Sequence, residues 1–387
     1  MANAYIIAAR RSALGRIGGL HRSRRIEELA APVVSAVLED CGVRPDEVEE
    51  IIIGNATQGG NPARLIALAA GLPDITSAIS IDRQCASGLD AIVAACRSVG
   101  SGEAQIIVAG GAEAISTAPW RVAKPKTLHQ LPHFIGVEPS TLEDAEEPQL
   151  FEASERLAQR LRIGREQQDQ WALSSHLKAE TARAARMFVG EIVPIRSNPD
   201  EARDQGAGQL TSMQDLDDLV PFMPPEGTLT PGNTSALHDG AAMAVIVSET
   251  VWRRLGEPPA LRVVATASQG VPAADEALAP MAAVEKLYAR ANGFNTKDLG
   301  VVELGESSAA QAIAFAQHFG IDPSLISPDG GEIARGHPLG AAGAVLVVRL
   351  FTRMARGRRK AGPDIRYGIA TLGAIGGLGV GVLFEAV

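Results

Sequence analysis

Short runs of β-branched residues alternate with alanine-rich stretches of helix length along most of the chain. Runs of the first kind, which predict buried strands, lie at 50–53, 105–108 and 301–304. Stretches of the second kind, which predict helices, lie at 26–41, 88–99, 165–186, 276–291, 308–319 and 341–355. Such an alternation is typical of an α/β fold with a largely parallel or mixed sheet.

The alternation is interrupted between about residues 117 and 237. Prolines, an acidic run at 143–147 and one long amphipathic helix replace the strands there. We interpret 117–237 as an inserted loop domain. It separates two parts of an N-terminal half, 1–116 and 238–258, and a C-terminal half follows at 259–387.

Two segments of the chain resemble one another weakly. Residues 85–92 and 336–343 each place a turn of small residues ahead of an apolar helix. Each half of the protein therefore offers one reactive side chain, Cys85 or His337, near the start of a helix.

Composition narrows the classes of function. Of the 387 residues, 46% are hydrophobic and 21% are charged, which excludes a disordered or fibrous protein. The net charge of −9 argues against nucleic acid or an anionic membrane surface as the main partner. The uncharged span 367–384 is rich in glycine and predicts a strand, a tight loop and a strand rather than a membrane helix.

The cysteine content favours a reducing, cytoplasmic compartment. Cys41, Cys85 and Cys96 are odd in number and form no C-x-x-C pair, so they predict neither a disulfide framework nor a metal site. Cys85 alone lies where an extended stretch turns sharply into a helix. The helix N-terminus there would favour a thiolate, although a small buried cysteine is the alternative for this segment alone.

The segment 329–340 contains the second candidate side chain. His337 lies between Gly336 and Pro338, and the glycines nearby allow a backbone or a substrate to approach closely. Together, Cys85 and His337 supply a nucleophile and a proton acceptor or oxyanion donor, as acyl transfer through a thioester requires.

Four motifs, in order over essentially the whole chain, resemble those of thiolases. They are Ala8-Ala9-Arg10 with Gly18-Gly19, Cys85-Ala86-Ser87-Gly88, Pro231-Gly232-Asn233-Thr234-Ser235-Ala236-Leu237-His238-Asp239-Gly240, and Gly336-His337-Pro338-Leu339-Gly340. The resemblance implies two similar halves in a five-layered α-β-α-β-α core, with a loop domain over the site. It also implies acyl-coenzyme A substrates without a further cofactor, a homodimer or homotetramer, and a place in fatty-acid or lipid metabolism.

The resemblance also implies roles for single residues. Cys85 would carry the acyl group, His337 would activate it, and the backbone N–H groups of Cys85 and Ile375 would hold the oxyanion. Residues implied to line the coenzyme A tunnel are Ser235, Gln149 and Leu150, of which the last two stand where thiolases usually have His and Met.

Two departures from the family affect the chemistry. Gly305 replaces the Asn of the usual N-E-A-F motif, which holds a water in an oxyanion hole. Gly373 replaces the second cysteine, which moves the substrate α-proton. We expect ordered water in this space, held by Ser307 or Ser308, although pocket filling and helix capping are equally open for these serines. A side chain from elsewhere that enters the space would instead be the acid–base candidate.

The departures leave three hypotheses open. The first is a thiolase-type acyltransferase that works by ping-pong transfer through Cys85. The second keeps the acyl-enzyme but transfers the acyl group to another kind of acceptor. The third is an acyl-CoA-binding subunit that depends on an accessory protein.

Overall fold

The computed structural model of the protein describes residues 3–127, 129–135, 151–195, 199–291, 293–356 and 365–387. The strands, numbered along the chain, are β1 (Ala4–Ser12), β2 (Gly15–Arg16), β3 (Glu50–Gly54), β4 (Ser77–Ile81), β5 (Ile106–Glu113), β6 (Val122–Ala123), β7 (His133–Phe134), β8 (Ile192–Val193), β9 (His238–Ser248), β10 (Leu261–Gly270), β11 (Leu299–Leu304), β12 (Tyr367–Ala374) and β13 (Leu378–Ala386). The α-helices are α1 (Ile26–Cys41), α2 (Pro62–Ala69), α3 (Ser87–Ser101), α4 (Glu152–Leu161), α5 (Arg165–Ala184), α6 (Met213–Asp217), α7 (Glu249–Arg254), α8 (Ala279–Arg290), α9 (Ala309–Phe319), α10 (Glu332–Arg335) and α11 (Ala342–Met354).

The predicted strands and helices are confirmed, with one informative difference. Helix α1 has the predicted bounds, whereas α8 begins at Ala279 rather than at Glu276. Pro280 stands in the first turn of α8, where its missing N–H costs no helical hydrogen bond. The residues before it form a separate 3-10 helix, Ala273–Leu278.

The sheet contains two halves with the same strand pattern. In the N-terminal half, β1 and β5 pair antiparallel with β9, and β3 pairs parallel with β5. In the C-terminal half, β10 and β12 pair antiparallel with β13, and β11 pairs parallel with β12. The halves meet where Tyr5 and Ile6 of β1 face Arg262 and Leu261 of β10. The two halves thus repeat one strand pattern. The weakly similar segments 85–92 and 336–343 contain the starts of α3 and α11, one in each half.

Three of the four apolar clusters formed by the described residues lie between the layers of the fold. The central core lies between the two half-sheets and contains the apolar faces of α3 and α11. Helices α1 and α2 cover the outer face of the N-terminal half, and α8 and α9 cover that of the C-terminal half. The five-layered α-β-α-β-α prediction is thus confirmed. Every residue of β5 and β9 is buried, because helices cover both faces of the sheet there.

Helices α3 and α11 begin next to each other because glycine permits close contact between their starts. A Cβ atom on Gly88 would lie 2.6 Å from the carbonyl oxygen of Gly340, and one on Gly343 would lie 2.7 Å from the amide nitrogen of Leu89. Neither distance would accommodate a side chain. The approach brings the segments that precede the two helices, from opposite halves of the chain, to one end of the central layer.

A buried network of charges fixes the segment that leads into α10. The Arg11 guanidinium donates to Glu191 at 2.7 Å and to Asp204 at 2.6 Å. Arg349 of α11 donates to both Glu191 and Asp329, and all of these side chains are buried. The network joins β1, α11 and the residues around 191 and 329, so it holds the predicted His337 segment against the core.

The C-terminal span is a strand, a tight turn and a strand, as its glycines predict. Strands β12 and β13 pair antiparallel from Tyr367↔Glu385 to Ala374↔Leu378. Within the described part of the chain, none of the helices combines the length and apolar character that a membrane crossing needs.

Candidate active site

Cys85 lies in a tight turn two residues ahead of α3. Gln84 takes a left-handed backbone conformation, with φ of 53°, and the Ser87 hydroxyl accepts from the Arg83 N–H at 2.8 Å and donates to the Gln84 carbonyl at 2.6 Å. The turn directs the Cys85 side chain into a cavity although the residue is only 8% exposed. Cys85 thus lies just ahead of the positive end of the α3 dipole.

The other two cysteines are placed differently. Burial raises the pKa of Cys41 to about 11 and that of Cys96 to about 12. Neither is among the described residues that line the cavity of Cys85. Neither of these two thiols therefore lies at the wall of the cavity that Gly373 forms.

The backbone of His337 is held by a neighbouring strand segment. Its N–H donates to the Ala236 carbonyl at 2.8 Å, and its carbonyl accepts from the His238 N–H at 3.0 Å. Gly336 has φ of 103°, and a Cβ there would lie 2.3 Å from the His238 ring. Only glycine fits, which explains why a Gly-His pair occurs at this point.

The His337 imidazole is oriented by a carboxylate that the sequence analysis missed. Nδ1 of His337 lies 2.9 Å from Oε2 of Glu332 in α10. Because a carboxylate only accepts hydrogen bonds, Nδ1 carries the proton and Nε2 is the nitrogen left to exchange one. Glu332 stands five residues before His337 in the same motif segment, which is the signal that could have found it.

Opposing effects act on the pKa of His337. Burial favours the neutral ring, whereas the charges of Glu332 and Cys85 and the hydrogen bonds to both side chains favour the imidazolium. The charges and hydrogen bonds prevail, so the pKa of His337 lies well above its usual value. An imidazolium paired with a thiolate is the arrangement that activates a cysteine nucleophile.

A single cavity of about 1050 Å³ brings most of the predicted residues together. Its lining includes Cys85, His337, Ser307, Ser235, Ile375 and Gly373. Gln149 and Leu150 lie outside the described residues. Gly305 is not among the lining residues, since a Cβ there would point at Leu372 of β12, 2.4 Å from its Cβ.

The hydroxyl groups of Ser307 and Ser308 form different hydrogen bonds. Ser308 caps α9, because its hydroxyl accepts from the Gln311 N–H at 3.2 Å, so the helix-capping interpretation holds for this residue. The Ser307 hydroxyl, which faces the cavity, donates to Oε1 of Gln311 at 2.9 Å. Gln311 also lines the cavity and was missed, since a glutamine inside a helix carries no distinctive sequence signal.

The space in front of Gly373 is open enough for a small side chain. A Cβ on Gly373 would lie 3.2 Å from Cδ of Pro280 and 3.7 Å from the carbonyl oxygen of Glu276. The turn that follows passes through Ile375 and two glycines with positive φ, Gly376 and Gly377. The turn is anchored by a hydrogen bond of 2.7 Å from the Val271 N–H to the Gly377 carbonyl.

Within the described ranges, no group of three or more His, Cys, Asp or Glu side chains is arranged to hold a metal ion. His133 lies exposed in β7.

Comparisons with known proteins cover the chain from end to end. A family model for the N-terminal domain of thiolase matches residues 4–250, and one for the C-terminal domain matches 257–386. The chain is 37% identical to an acetyl-CoA acetyltransferase of Shinella zoogloeoides over 98% of each protein. It is 34% identical to one of Cupriavidus necator over 100% of each. The crystal structure of the Bacillus anthracis acetyl-CoA acetyltransferase superposes with a TM-score of 0.91 at 32% identity, covering 100% of this chain and 99% of that one.

Proposed function

The chain belongs to the thiolase family and is an acyltransferase of the thiolase type, and we propose that it works on acyl-CoA and 3-oxoacyl-CoA thioesters through an acyl group carried on Cys85. One observation carries the proposal. The Cys85 thiol and the His337 imidazole come from opposite halves of the chain, line one cavity and interact with each other. The named relatives favour an enzyme over the binding-subunit alternative.

The first half-reaction uses groups that the chain retains. Nε2 of His337 takes the thiol proton before the attack, the Cys85 sulfur attacks the thioester carbonyl, and the imidazolium then gives that proton to the departing coenzyme A sulfur. The carbonyl oxygen gains negative charge, for which the backbone N–H groups of Cys85 and Ile375 are the proposed donors. In the second half-reaction an acceptor takes the acyl group, either coenzyme A or a second acyl-CoA, which makes the kinetics ping-pong.

Coenzyme A is a substrate in this scheme, and no other cofactor is needed for it. Ser235 lies at the cavity wall, and its N–H donates to the Ser307 carbonyl at 3.1 Å, so its side chain is held beside the acyl site. We propose that Ser235, together with Gln149 and Leu150, contacts the pantetheine chain. A cytoplasmic location stays a prediction.

A homodimer or homotetramer is proposed from one edge of the sheet. Among the described strands β4 is last in order and pairs on one side only, with β3. Ile75 and Ile79 beside this open edge, and Leu65 and Leu68 of α2, are exposed apolar residues. An open apolar edge of this kind favours pairing with another chain. Light scattering on the purified protein should give the mass of a dimer or tetramer, and a monomer would contradict the proposal.

Mass spectrometry of the intact protein tests the acyl-enzyme. Incubation with acetyl-CoA and with 3-oxoacyl-CoAs of increasing length should add one acyl group, located at Cys85 by peptide mapping. C85S should show no thioester adduct, and C96S should behave like the native chain. Absence of an adduct with every substrate would reject the proposal.

Two further assays distinguish the remaining hypotheses. Product analysis with coenzyme A, amines and alcohols identifies the acceptor of the acyl group. Assays of the purified chain alone show whether its activity needs an accessory subunit.

A further inference from the structure

The space in front of Gly373 is bordered by Glu276, whose carbonyl oxygen lies 3.7 Å from the position of a Cβ on Gly373. Glu276, the fourth residue of the 3-10 helix Ala273–Leu278, lines the same cavity as Cys85, His337 and Gly373. Of the described residues in that lining, Glu276 alone carries a carboxyl group. The reaction has lost a proton-transferring thiol at this wall of the cavity, and a group able to transfer protons stands beside the gap.

The position of the carboxyl group is fixed by the turn after β12. Oε2 of Glu276 accepts a hydrogen bond from the Gly376 N–H at 3.3 Å. Gly376 directly follows Ile375, whose N–H is the proposed oxyanion donor. The carboxyl group therefore lies against the turn that would hold the substrate carbonyl, adjacent to where an α-carbon would be presented.

The backbone that carries Glu276 is held by hydrogen bonds on both sides of this residue. The Ala277 carbonyl accepts from Nε2 of Gln311 at 3.1 Å, and the other end of that amide accepts from Ser307. The Ala274 carbonyl accepts from Arg156 of α4 at 3.0 Å. A base held on a fixed backbone keeps its geometry through the reaction, as proton transfer from carbon requires.

We propose that Glu276 is the acid–base residue that takes the place of the missing second cysteine, an inference that rests on the proposed acyl-enzyme at Cys85. In condensation, the Glu276 carboxylate takes a proton from the α-carbon of a second acyl-CoA, and the electron pair of the C–H bond forms the enolate. The enolate carbon attacks the acyl carbonyl on Cys85, so a C–C bond forms and the C–S bond breaks. The Cys85 thiolate leaves, Glu276 releases its proton to solvent and His337 takes one up, which restores the starting states of all three groups.

The reverse direction uses the same groups. When the C–C bond of a 3-oxoacyl-CoA breaks, the protonated Glu276 delivers its proton to the α-carbon of the departing enolate. Acyl transfer from acetyl-CoA to Cys85 breaks neither a C–H nor a C–C bond, so Glu276 has no part in that half-reaction. This separation makes the two steps independently measurable.

Exchange of the acetyl-CoA methyl protons with deuterium oxide measures the step assigned to Glu276. E276Q keeps the length of the side chain and an oxygen that accepts from Gly376, but it cannot take a proton at neutral pH. We expect E276Q to form the Cys85 adduct as the native chain does, while exchange falls by about 10²–10⁴-fold. E276D, which keeps the charge but withdraws the carboxyl group, should also lose exchange and keep the adduct.

The matched control is D275N. Asp275 is the next residue, is partly exposed and pairs with Arg160 at 3.4 Å on the surface, outside the described cavity lining. D275N should catalyse deuterium exchange into acetyl-CoA and form the Cys85 adduct as the native chain does.

Native rates of deuterium exchange in both Glu276 variants would overturn the inference. So would loss of the adduct together with exchange, since Glu276 would then act only by holding the turn, or an acylated native enzyme that exchanges no protons. A native chain that forms no adduct at all would instead reject the proposed function.

Discussion

The Nδ1 atom of His337 lies 2.9 Å from Oε2 of Glu332, a carboxylate on the short helix that begins the same segment. This contact fixes both the orientation of the ring and the nitrogen that carries the proton. Proton transfer by Nε2 of His337 is therefore expected to depend on its pairing with Glu332, which lies five residues earlier in the chain.

Replacing Glu332 tests that dependence. In E332Q the largest of the effects that raise the pKa of His337 is removed, so this pKa should fall. The imidazolium–thiolate pair would then be lost at a lower pH, and acylation of Cys85 should slow by on the order of 10²-fold. The alkaline limb of the pH profile of acylation should move to lower pH. E285Q is the control, because Glu285 forms a similar pair with His318, at 2.7 Å on the surface. Equal profiles for E332Q and the native chain would contradict this prediction.

The three cysteines should differ in their reactivity. The pKa of Cys41 is about 11 and that of Cys96 about 12, so both are thiols near pH 8, whereas Cys85 interacts with the His337 ring and lines the cavity. Iodoacetamide at pH 7–8 should therefore alkylate Cys85 first in the folded protein. Peptide mapping with time locates the label, and C85S should remain unlabelled over the same period. Labelling of Cys96 ahead of Cys85 would show that the thiol is not activated.

Returning the second cysteine should raise proton exchange. A Cβ on Gly373 has its nearest neighbour, Cδ of Pro280, at 3.2 Å, so G373C requires only a small shift. The new thiol would enter the catalytic cavity, and deuterium exchange into acetyl-CoA should increase relative to the native chain. G373S, which has a similar shape but a much weaker acid, is the control and should not increase exchange. If G373C does not increase deuterium exchange, a thiol at position 373 is not placed where it can take the α-proton of acetyl-CoA.

The two glycine departures should differ in the space they leave. G305A places a Cβ 2.4 Å from the Leu372 Cβ, whereas the Cβ of G373A meets nothing closer than 3.2 Å. Overpacking a buried site costs about 1–3 kcal/mol, so G305A should reduce the free energy of unfolding clearly more than G373A does. Denaturant unfolding of the two variants compares them directly. Equal stability would show that Leu372 moves aside at little cost.

The buried charges should make the protein sensitive to acid. Burial opposes the charge of Glu191, but Arg349 and Arg11 outweigh it and lower the pKa of this carboxyl to about 2 from an ordinary 4.5. The unfolded chain binds a proton near pH 4.5 and the folded chain does not, so the free energy of unfolding falls as the pH drops from 4.5 to 2. The loss is on the order of 3 kcal/mol.

Unfolding measured at several pH values tests this account. The native chain should lose stability steeply below pH 4.5. E191Q is less stable throughout, because it leaves two buried guanidinium groups underpaired, and it should show a shallower dependence on pH. Identical slopes for the two proteins would assign the acid sensitivity to other carboxyl groups.

The periodic elements were predictable from the sequence. The β-branched runs became buried strands, because burial on both faces of a sheet requires continuous apolar runs, and α1 has its predicted bounds. The shared cavity of Cys85 and His337 was also expected, because the small residues of a sharp turn before a helix mark each of them in the sequence. Their catalytic roles, and the loss of the second cysteine at Gly373, stay predictions.

The tertiary structure alone decided which groups share the cavity. Glu276 and Gln311 line it because elements far apart in the chain come into contact, and Glu332 meets the His337 ring from a short helix that no periodic pattern predicts. The spatial neighbours of a carboxyl or amide group cannot be predicted from its position in the sequence, because they depend on how the layers pack. The sequence thus determined the fold and marked the proposed nucleophile, whereas the packing of the two halves of the sheet around α3 and α11 decided which proposed proton carriers lie near it.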